Sequence, residues 1–569
     1  MASHAPGLAE VRRTTGLWLE AVSATLARQA RTEWFGSPPH LLSIAHPKGQ
    51  GFAAFPRDFR PARREAGAAM LEGAWTLAGA TMNVGPGGDP WNRPSPGRAA
   101  AEALHRFGWL RDLLAMDERG AREGLRLVSE WRATFGRWNS FSWSGQILER
   151  RVLNLACAMG PIAAHASEAE VEMLADLLAR QARQLLIARD PAWRRAERAV
   201  AAGVAAAALS GKAGDRLLAA ALGRINRTVL HAVLPDGGHV SRSPEGGLEL
   251  LLDLLALDDG WAQRGFQLPE EAARALDRLT AAMRFLTLPD GRLACFQGGE
   301  PSQPALVAAA RAHDDAEAAA PPPHLPHTGY QRLIGRSIQV IVDVGRPAPA
   351  PWSASACAQP GAIEVVCRKE RLITNSGWSL RAAGANALRL TDAGSTAALD
   401  HASTAAPLSG WRSRALGPRL MGGPVNVEVR RAASDAGSWL DLTHDGWGPG
   451  LGLLHGRRLF VDLASDELRG EDQFTPVNAD QPTRLIPYVI YFHLPPEVEA
   501  AIARDQKSVL LRGPSDKGWW LRNDATEVRV EPAVHFRDGR QVPSRMVLLA
   551  GHIRADKGGK VRWKLAAVE

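Results

Sequence analysis

The sequence has few cysteines, few tyrosines and no long apolar segment. Its 569 residues include 4 cysteines, which are scattered without the short spacings of metal sites or disulfide frameworks. Charged residues interrupt the N-terminus, where a signal peptide or a membrane-spanning helix would show an unbroken apolar stretch. We therefore expect reduced thiols and no insertion into a membrane.

Several nucleotide-binding and catalytic motifs are also missing. We find no Walker phosphate loop, Rossmann glycine fingerprint, HExxH motif or G-x-S-x-G motif with the right flanking pattern. Lysine and arginine are spread along the chain rather than clustered with aromatic residues, so nucleic acid is not a predicted partner. No cofactor is predicted, and a structural divalent metal is left open without a ligand set. The sequence makes no prediction of an oligomeric state.

The composition itself predicts a globular protein with more than one domain. Hydrophobic residues make up 45% of a chain that is too long for a single core. Lysine and arginine number 68 against 60 aspartate and glutamate, and this excess of +8 modestly favours anionic ligands. The 18 tryptophans suit stacking on sugar rings, although most of them are expected in the core.

Apolar periodicity predicts a helical N-terminal domain over residues 1–317. An amphipathic helix comes first, and an irregular approach over 31–95 follows. The helices predicted after it are 99–116, 121–138, 145–164, 171–187, 193–211, 215–230, 244–257 and 270–286. Their short connections favour stacked antiparallel hairpins, arranged either as a closed or partly closed α/α toroid or as an irregular bundle.

A proline-rich segment over 318–328 predicts the linker between two domains, because three consecutive prolines cannot continue a helix. Beyond it the apolar period becomes two, and short strands alternate with Gly, Pro, Asn and Asp. We therefore predict an antiparallel β-sandwich over 329–569. The fold class is α+β, with two domains.

Several charged or polar residues are interpreted as solvent-exposed. Arg150 and Arg151 are read as charges on a helix surface, and the charged segment 469–472 as a solvated turn with an internal ion pair. His444 is interpreted as flanking a hairpin turn, since Asp-Gly follows it directly.

The polar loop 236–242 holds the first candidate site residues, His239 and Arg242. Ser243 and Pro244 predict an N-cap and the first position of a helix, which would hold this loop at the mouth of the helical domain. Leucines on that helix predict one buried face, with Glu249 and Asp253 on another face.

The residue types alone leave the roles of these side chains open. His239 and Arg242 suit either a site for an acidic ligand or plain solvated and capping roles. His401 lies on a polar loop of the predicted sandwich, where a solvated histidine is the default interpretation.

Several motifs, in the same order, resemble those of the heparinase II/III family of polysaccharide lyases. They are LPDGGHVSRSP, LPDGRLACFQGGE, HTGYQRLIGRSIQVIVDVG and LTHDGWGPGLGLLHGRRLFVDLASDELRGEDQF. The resemblance spans the chain from about residue 100 and implies an α/α toroid packed on a β-sandwich. It also implies β-elimination on an acidic, uronate-containing polysaccharide and a location in the cell envelope, with the cytoplasm as the alternative because no signal peptide is found.

Family members use an Asn or His on a toroid helix, a Tyr directly after the Ser-Pro pair, and a His early in the sandwich. The corresponding positions of the tyrosine and of the sandwich histidine are Gly246 and Gly394 here. The corresponding toroid helix has no asparagine and carries Arg194 and Arg195. The resemblance therefore implies a diverged site.

We assign candidate catalytic roles to His239 and His401, and candidate substrate-binding roles to Arg242, Arg194 and Arg195. The first hypothesis is a heparinase II/III-like lyase with a diverged site that cleaves an acidic polysaccharide. The alternative is a non-catalytic member that binds an acidic glycan in the same, basic cleft or acts as a scaffold.

Overall fold

Helices form the first part of the chain and antiparallel strands the second, as the change of apolar period predicts. The computed structural model describes residues 8–316, 320–379 and 386–568. Its helices before the sandwich are α1 (Leu8–Gly36), α2 (Pro38–Ala45), α3 (Arg64–Leu71), α4 (Arg98–His105), α5 (Trp109–Leu114), α6 (Asp117–Phe135), α7 (Gly145–Ala163), α8 (Glu168–Ile187), α9 (Arg195–Ala208), α10 (Gly211–Ala232), α11 (Pro244–Ala262), α12 (Glu270–Leu286) and α13 (Pro304–Arg311).

The helical domain is an α/α toroid with an inner and an outer layer. Helices α7, α9 and α11 pack side by side inside, while α8, α10 and α12 contact one another around them. The inner helix α9 is rich in alanine, which lets its neighbours approach closely. At Gly203 a Cβ atom would lie only 2.8 Å from the side chains of both Ile225 and Leu257. Small side chains on the inner helices therefore set the tight packing of the two layers.

The prediction of an irregular approach over 31–95 is wrong in part. This stretch contains the end of α1, the helices α2 and α3, and a hairpin of β1 (Ala74–Leu77) and β2 (Ala80–Asn83). The predicted helix 99–116 is in turn divided into α4 and α5. Phe107 lies between them with a φ of 61°, a left-handed conformation that no α-helix can continue.

Helix α11 begins where its capping signal predicts. The Ser243 hydroxyl accepts a hydrogen bond from the backbone N–H of Gly246 at 3.2 Å, and Pro244 occupies the first helical position. The helix is buried on almost all sides, however, and the side chain of Asp253 is fully buried. The prediction of a separate polar face carrying Asp253 is therefore wrong.

The described strands of the C-terminal domain form three larger antiparallel sheets and one short two-stranded sheet. In chain order they are β3 (His324–Leu325), β4 (Tyr330–Ile334), β5 (Ile338–Asp343), β6 (Ile363–Cys367), β7 (Glu370–Ile373), β8 (Ala397–Leu399), β9 (Ala405–Pro407), β10 (Leu420–Gly422), β11 (Val427–Ser434), β12 (Gly437–His444), β13 (Leu453–Asp462), β14 (Glu467–Pro476), β15 (Leu485–His493), β16 (Glu499–Ile502), β17 (Val509–Arg512), β18 (Gly518–Asn523), β19 (Glu527–Arg537), β20 (Arg540–Arg554) and β21 (Gly559–Ala567). Short helices α14 (Gly410–Leu416) and α15 (Gly448–Leu451) interrupt them.

The largest sheet has eight strands in the order β11-β12-β13-β14-β21-β18-β17-β16. A five-stranded sheet, β3 to β7, and a four-stranded sheet, β19-β20-β15-β8, share one apolar core with it. This is the sandwich that the alternating segments predict.

Strand β14 overturns the interpretation of 469–472 as a solvated turn, because it lies inside the eight-stranded sheet. Its buried, inward-facing positions include Gly470 and Asp472, which are not apolar. The alternation of apolar and polar residues that marks a strand is therefore not visible in this segment. Glycine is needed at 470 because the Trp563 ring covers it: a Cβ atom there would lie 2.1 Å from that ring.

The buried carboxylate of Asp472 organises a polar network in the sandwich core. It accepts hydrogen bonds from Arg457 Nε at 2.8 Å and from Trp563 Nε1 at 2.9 Å. His455 Nε2 lies 2.8 Å from the same carboxylate, and its Nδ1 lies 3.0 Å from Nε2 of His444. His444 is therefore a buried member of this network, not merely a neighbour of a turn.

Helix α13 ends at Arg311, and β3 begins at His324. The first residues of the predicted linker 318–328, residues 318 and 319, lie outside the described residues. The domain boundary itself stays a prediction. The toroid core also includes Tyr330 and Ile341 from the sandwich, so the two domains share apolar packing.

Candidate functional site

The loop 236–242 joins the toroid to the sandwich. The Asp236 carboxylate accepts hydrogen bonds from the backbone N–H groups of His327 and Thr328 and from the Thr328 hydroxyl, each at 2.7 Å. Gly238 permits this close approach, since a Cβ atom there would lie 1.8 Å from Thr328 Oγ1. The loop is thus held from both sides, by the cap of α11 and by the sandwich.

Arg242 is the main polar tie across this joint. Its guanidinium is buried, forms an ion pair with Asp343, and donates to the carbonyl oxygens of Thr328 at 2.6 Å, Arg346 at 2.8 Å and Gly329 at 3.2 Å. The hydroxyl of Tyr330 donates to the Arg242 carbonyl at 2.6 Å. Because these donors are already engaged within the protein, the geometry gives Arg242 an interdomain structural role rather than the predicted carboxylate contact.

His239 is buried beside the N-terminal ends of the inner helices α9 and α11. The Ser241 hydroxyl lies 2.6 Å from Nδ1 of His239, and the backbone N–H of Ser241 donates to the same nitrogen at 3.3 Å. Burial, together with the positive charge of Arg194, lowers the pKa of His239 to about 4. The ring is therefore neutral at pH 7, and its Nε2 points toward Glu197 Oε1 at 3.7 Å.

The N-terminal ends of α7, α9 and α11 converge below His239, and arginine–carboxylate pairs connect them. Arg194, just before α9, donates to both oxygens of Glu149 on α7, at 3.0 Å from Nε to Oε2 and 2.6 Å from NH2 to Oε1. Arg194 also lies 3.7 Å from Glu197 and from Glu249. Burial alone would lower the pKa of Arg194, but these carboxylates hold it well above its usual value.

A second group of pairs surrounds the buried carboxylate of Asp253 on α11. Arg150 on α7 is bonded to it, with one NH1–Oδ1 distance of 3.1 Å, and Arg60 reaches it at 2.6 Å. The prediction that Arg150 is a solvated surface charge is therefore wrong.

Arg151, on the next position of α7, is also buried rather than solvated. It donates to the Ser142 carbonyl at 2.6 Å and to Gln181 Oε1 at 2.6 Å, and its guanidinium lies 4.3 Å from the Trp131 ring centroid. Burial lowers the pKa of Arg151 to about 9.

These pairs remove the basic character that the cleft was predicted to have. Three arginines, Arg60, Arg150 and Arg194, meet four carboxylates from Glu149, Glu197, Glu249 and Asp253. The positive charge is satisfied inside the protein before any ligand arrives. Sequence reasoning missed the carboxylates, although charged residues in the first turns of otherwise apolar helices were an available signal for buried pairing.

The two glycines at the family's tyrosine and histidine positions differ in how much room they leave. At Gly246 a Cβ atom would lie 3.4 Å from His239 Nδ1, which is an ordinary contact distance. At Gly394 it would lie 2.7 Å from Gln359 Cγ and 2.9 Å from Gln359 Cβ. A side chain at 394 therefore requires Gln359 to move.

The structure does not bring the remaining candidates to the convergence of the inner helices. His401 is exposed in a turn after β8, with a φ of 52°. Arg195 is exposed on the first turn of α9 and lines a different cavity, together with Arg198 and Arg224. Of the five predicted site residues, His239 and Arg194 both lie 3.7 Å from Glu197. Arg242 lies on the same loop as His239.

A family model described as "Heparinase II/III-like, C-terminal" matches residues 317–564. The chain is 50% identical over 582 residues to "FtsZ-localized protein C" of Caulobacter vibrioides, covering 100% of both chains.

Solved structures with the same fold include a crystal structure of heparinase III, with a TM-score of 0.68 and 14% identity over 89% of this chain and 84% of that chain. Heparan sulfate lyase HepC from Pedobacter heparinus gives a TM-score of 0.56 and 14% identity, covering 93% of this chain and 87% of that chain. At such identities the likeness shows the fold alone. In the part of the chain that the structure describes, no helix has the length and apolar character needed to cross a membrane.

Proposed function

The chain belongs to the heparinase II/III family, and from that premise we propose that it is a non-catalytic member that acts as a binding protein where FtsZ assembles. The observation that carries the non-catalytic assignment is the self-paired cleft. Its arginines are committed to Glu149, Glu197, Glu249 and Asp253.

β-Elimination on a uronate needs three groups. A cation or neutral donor must offset the charge of the sugar carboxylate, a base must remove the proton next to it, and an acid must serve the leaving oxygen. Arg194 and Arg242 are held by protein acceptors. His239 has a pKa lowered to about 4 by burial, so it is a weak base, and its Nδ1 already contacts Ser241. Gly246 and Gly394 supply neither an acid nor a base.

The assignment to FtsZ rests on the Caulobacter vibrioides relative, whose name describes it as localised by FtsZ. The identity of 50% over the whole length of both chains supports carrying this property over. It also favours the cytoplasmic alternative over the cell-envelope location that the lyase resemblance implies. Under this proposal the toroid and sandwich serve as a rigid binding scaffold.

The catalytic half of the proposal is tested with the purified full-length protein and a panel of uronate polymers. We expect no increase in ultraviolet absorbance from an unsaturated product, with heparinase III as the positive control. Product formation that disappears in His239→Ala would contradict the proposal and restore the lyase hypothesis.

Glycan binding is measured in parallel, because the alternative hypothesis expects it without cleavage. A basic cleft meeting a polyuronate would give an affinity that weakens with rising salt. We expect no saturable binding, since the cleft arginines are already paired. Saturable, salt-sensitive binding lost in Arg194→Gln would favour the glycan-binding alternative.

The association with FtsZ is tested by co-sedimentation with FtsZ polymers assembled with GTP. We expect saturable transfer of the protein to the pellet, and none when GDP keeps FtsZ unassembled. Protein that stays in the supernatant at saturating FtsZ would overturn this half of the proposal.

A further inference from the structure

A cavity of about 320 Å³ lies between α8, α9 and α10, and the paired residues Arg194 and Glu197 are not part of its lining. The C-terminal end of α8, the first turns of α9 and the middle of α10 surround it. Leu185 and Ala199 supply apolar lining, and Thr228 supplies a hydroxyl. This volume suits a small organic molecule, because ligand pockets in proteins begin at roughly 300 Å³.

Arginines dominate the charged lining of this cavity. Arg189, Arg195 and Arg224 all face it, and within residues 8–316, 320–379 and 386–568 none of the three forms an ion pair with a carboxylate. The lining contains no acidic residue. This arrangement is the opposite of the cleft, where each arginine has a carboxylate partner.

A fourth arginine, Arg198, holds the cavity wall in place. Its side chain is buried and donates to the carbonyl oxygens of Pro191 at 2.6 Å and Arg189 at 3.2 Å. These bonds fix the segment that carries Arg189. The wall of the cavity is therefore held by a buried side chain, while Arg189 and Arg195 are exposed at its rim.

The surroundings favour a bound anion. Burial lowers the pKa of Arg224, and the nearby positive charges of Arg227 and Arg189 lower it further. Like charges gathered around one cavity repel each other, and a negatively charged ligand removes that cost. The N-terminal end of α9 adds a partial positive charge to the same wall.

We propose that this cavity binds a small organic phosphate. The phosphate group pairs with Arg189, Arg195 and Arg224, whose planar guanidinium groups match phosphate oxygens, and the less polar part of the ligand covers the apolar lining. The Thr228 hydroxyl donates to the Arg224 carbonyl at 2.8 Å, so its oxygen remains available as an acceptor. The proposal is independent of any activity in the cleft.

The experiment titrates the full-length protein with inorganic pyrophosphate and with ATP in a calorimeter. We expect saturable binding with 1:1 stoichiometry, and at least a tenfold weaker affinity in Arg224→Gln and in Arg195→Gln. The matched control is Arg216→Gln, an exposed arginine on the same helix α10 but outside the cavity, which should bind like the unchanged protein. Melting curves of all variants confirm that each one folds.

Two outcomes would overturn the proposal. The first is no binding of either probe at millimolar concentration. The second is an equal loss of affinity in Arg224→Gln and Arg216→Gln, which would indicate general attraction to a basic surface. Citrate is titrated as well, and binding of citrate without pyrophosphate would overturn the assignment of phosphate.

A phosphate group can reach the cavity on a soluble metabolite or on a lipid head group. Sedimentation with phosphatidylglycerol vesicles, with and without pyrophosphate, distinguishes these two sources. Vesicle binding that pyrophosphate displaces and that Arg224→Gln loses assigns a lipid source. Pyrophosphate binding without any such competition assigns a soluble one, and either result supports the phosphate site.

Discussion

The toroid uses arginine in two opposite ways within a short stretch of chain. Arg194 is committed to carboxylates between the inner helices, whereas Arg195, its direct neighbour, is exposed at the rim of a cavity without an acidic residue. The first arginine holds helices together, and the second is one that we propose for binding a ligand. Whether an arginine is structural or available for binding therefore depends on whether the protein supplies buried acceptors for it, not on the residue type.

The same comparison explains why the cleft does not have the basic character that was predicted for it. In the cleft, Glu149 and Asp253 each contact more than one arginine, so the charges of three helices form one closed network. A ligand carboxylate would have to displace a protein carboxylate that is already well placed. The cavity between α8, α9 and α10 presents no such competitor.

Removing a cleft carboxylate should give the largest effect. Asp253→Ala leaves the buried guanidinium groups of Arg60 and Arg150 without their shared partner, and we expect a loss of about 3–5 kcal/mol in the free energy of unfolding. Urea denaturation followed by tryptophan fluorescence measures it. The control is Asp441→Ala in the exposed pair with Arg458, which should cost less than about 1 kcal/mol. Equal losses in both variants would contradict a structural role for the cleft pairs.

Arg242→Ala should be the next most damaging change. It removes an ion pair and three hydrogen bonds across the domain joint, but Asp343 keeps a hydrogen bond from Gln297 Nε2 at 2.6 Å. We therefore expect a smaller loss, about 2–3 kcal/mol, seen as a lower melting temperature and faster proteolysis. The exposed Arg274→Ala serves as control. An unchanged melting temperature would instead return Arg242 to the list of ligand-binding candidates.

Acid should lower the free energy of unfolding, because three buried histidines have lowered pKa values. Burial lowers the pKa of His493 and of His105 to about 4, and the pKa of His239 to the same value. Below pH 6.5 the unfolded chain gains protons on these rings while the folded protein does not, so stability is present above that pH and is lost as the pH falls toward 4.

The measurement is the free energy of unfolding from urea denaturation at pH 7.0, 6.0 and 5.0, and we expect it to decrease steadily as the pH falls. His493→Gln removes one of the titrating rings and should reduce the slope by an amount on the order of 1 kcal/mol per pH unit. A slope identical to that of the unchanged protein would show that His493 titrates normally in the folded state.

The smallest effect is expected in the cavity between α8, α9 and α10. Arg189→Gln removes a charge that has no carboxylate partner among the described residues, so its effect on stability should stay within about 0.5 kcal/mol. The matched change Arg198→Gln loses two hydrogen bonds to backbone carbonyls and should cost about 1–2 kcal/mol. A larger loss of stability in Arg189→Gln than in Arg198→Gln would contradict the contrast between available and structural arginines at this site.

Much of the fold could be predicted because its signals are local. The capped start of α11 at Ser243 and Pro244 depends on neighbouring residues alone, and so does the change from helical to alternating periodicity. Strand β14 escaped prediction because Gly470 and Asp472 occupy its inward positions. Their fit depends on Trp563, which lies about ninety residues further along the chain.

The candidate site was predicted only in part. His239 and Arg194 do meet, but their roles changed once Glu149 and Glu197 were found beside them. Charged residues in apolar helices indicate buried pairing, but no local pattern indicates which residues pair, because Arg150 and its partner Asp253 are 103 residues apart.

Residue spacing over a few turns was enough to predict the change from helices to strands and the position of the polar loop before α11. Which arginines are neutralised and which remain available depends on the folded structure. The outcome depends on how α7, α9 and α11 bring distant carboxylates within a few ångströms, because a buried charge needs acceptors that only the folded chain supplies.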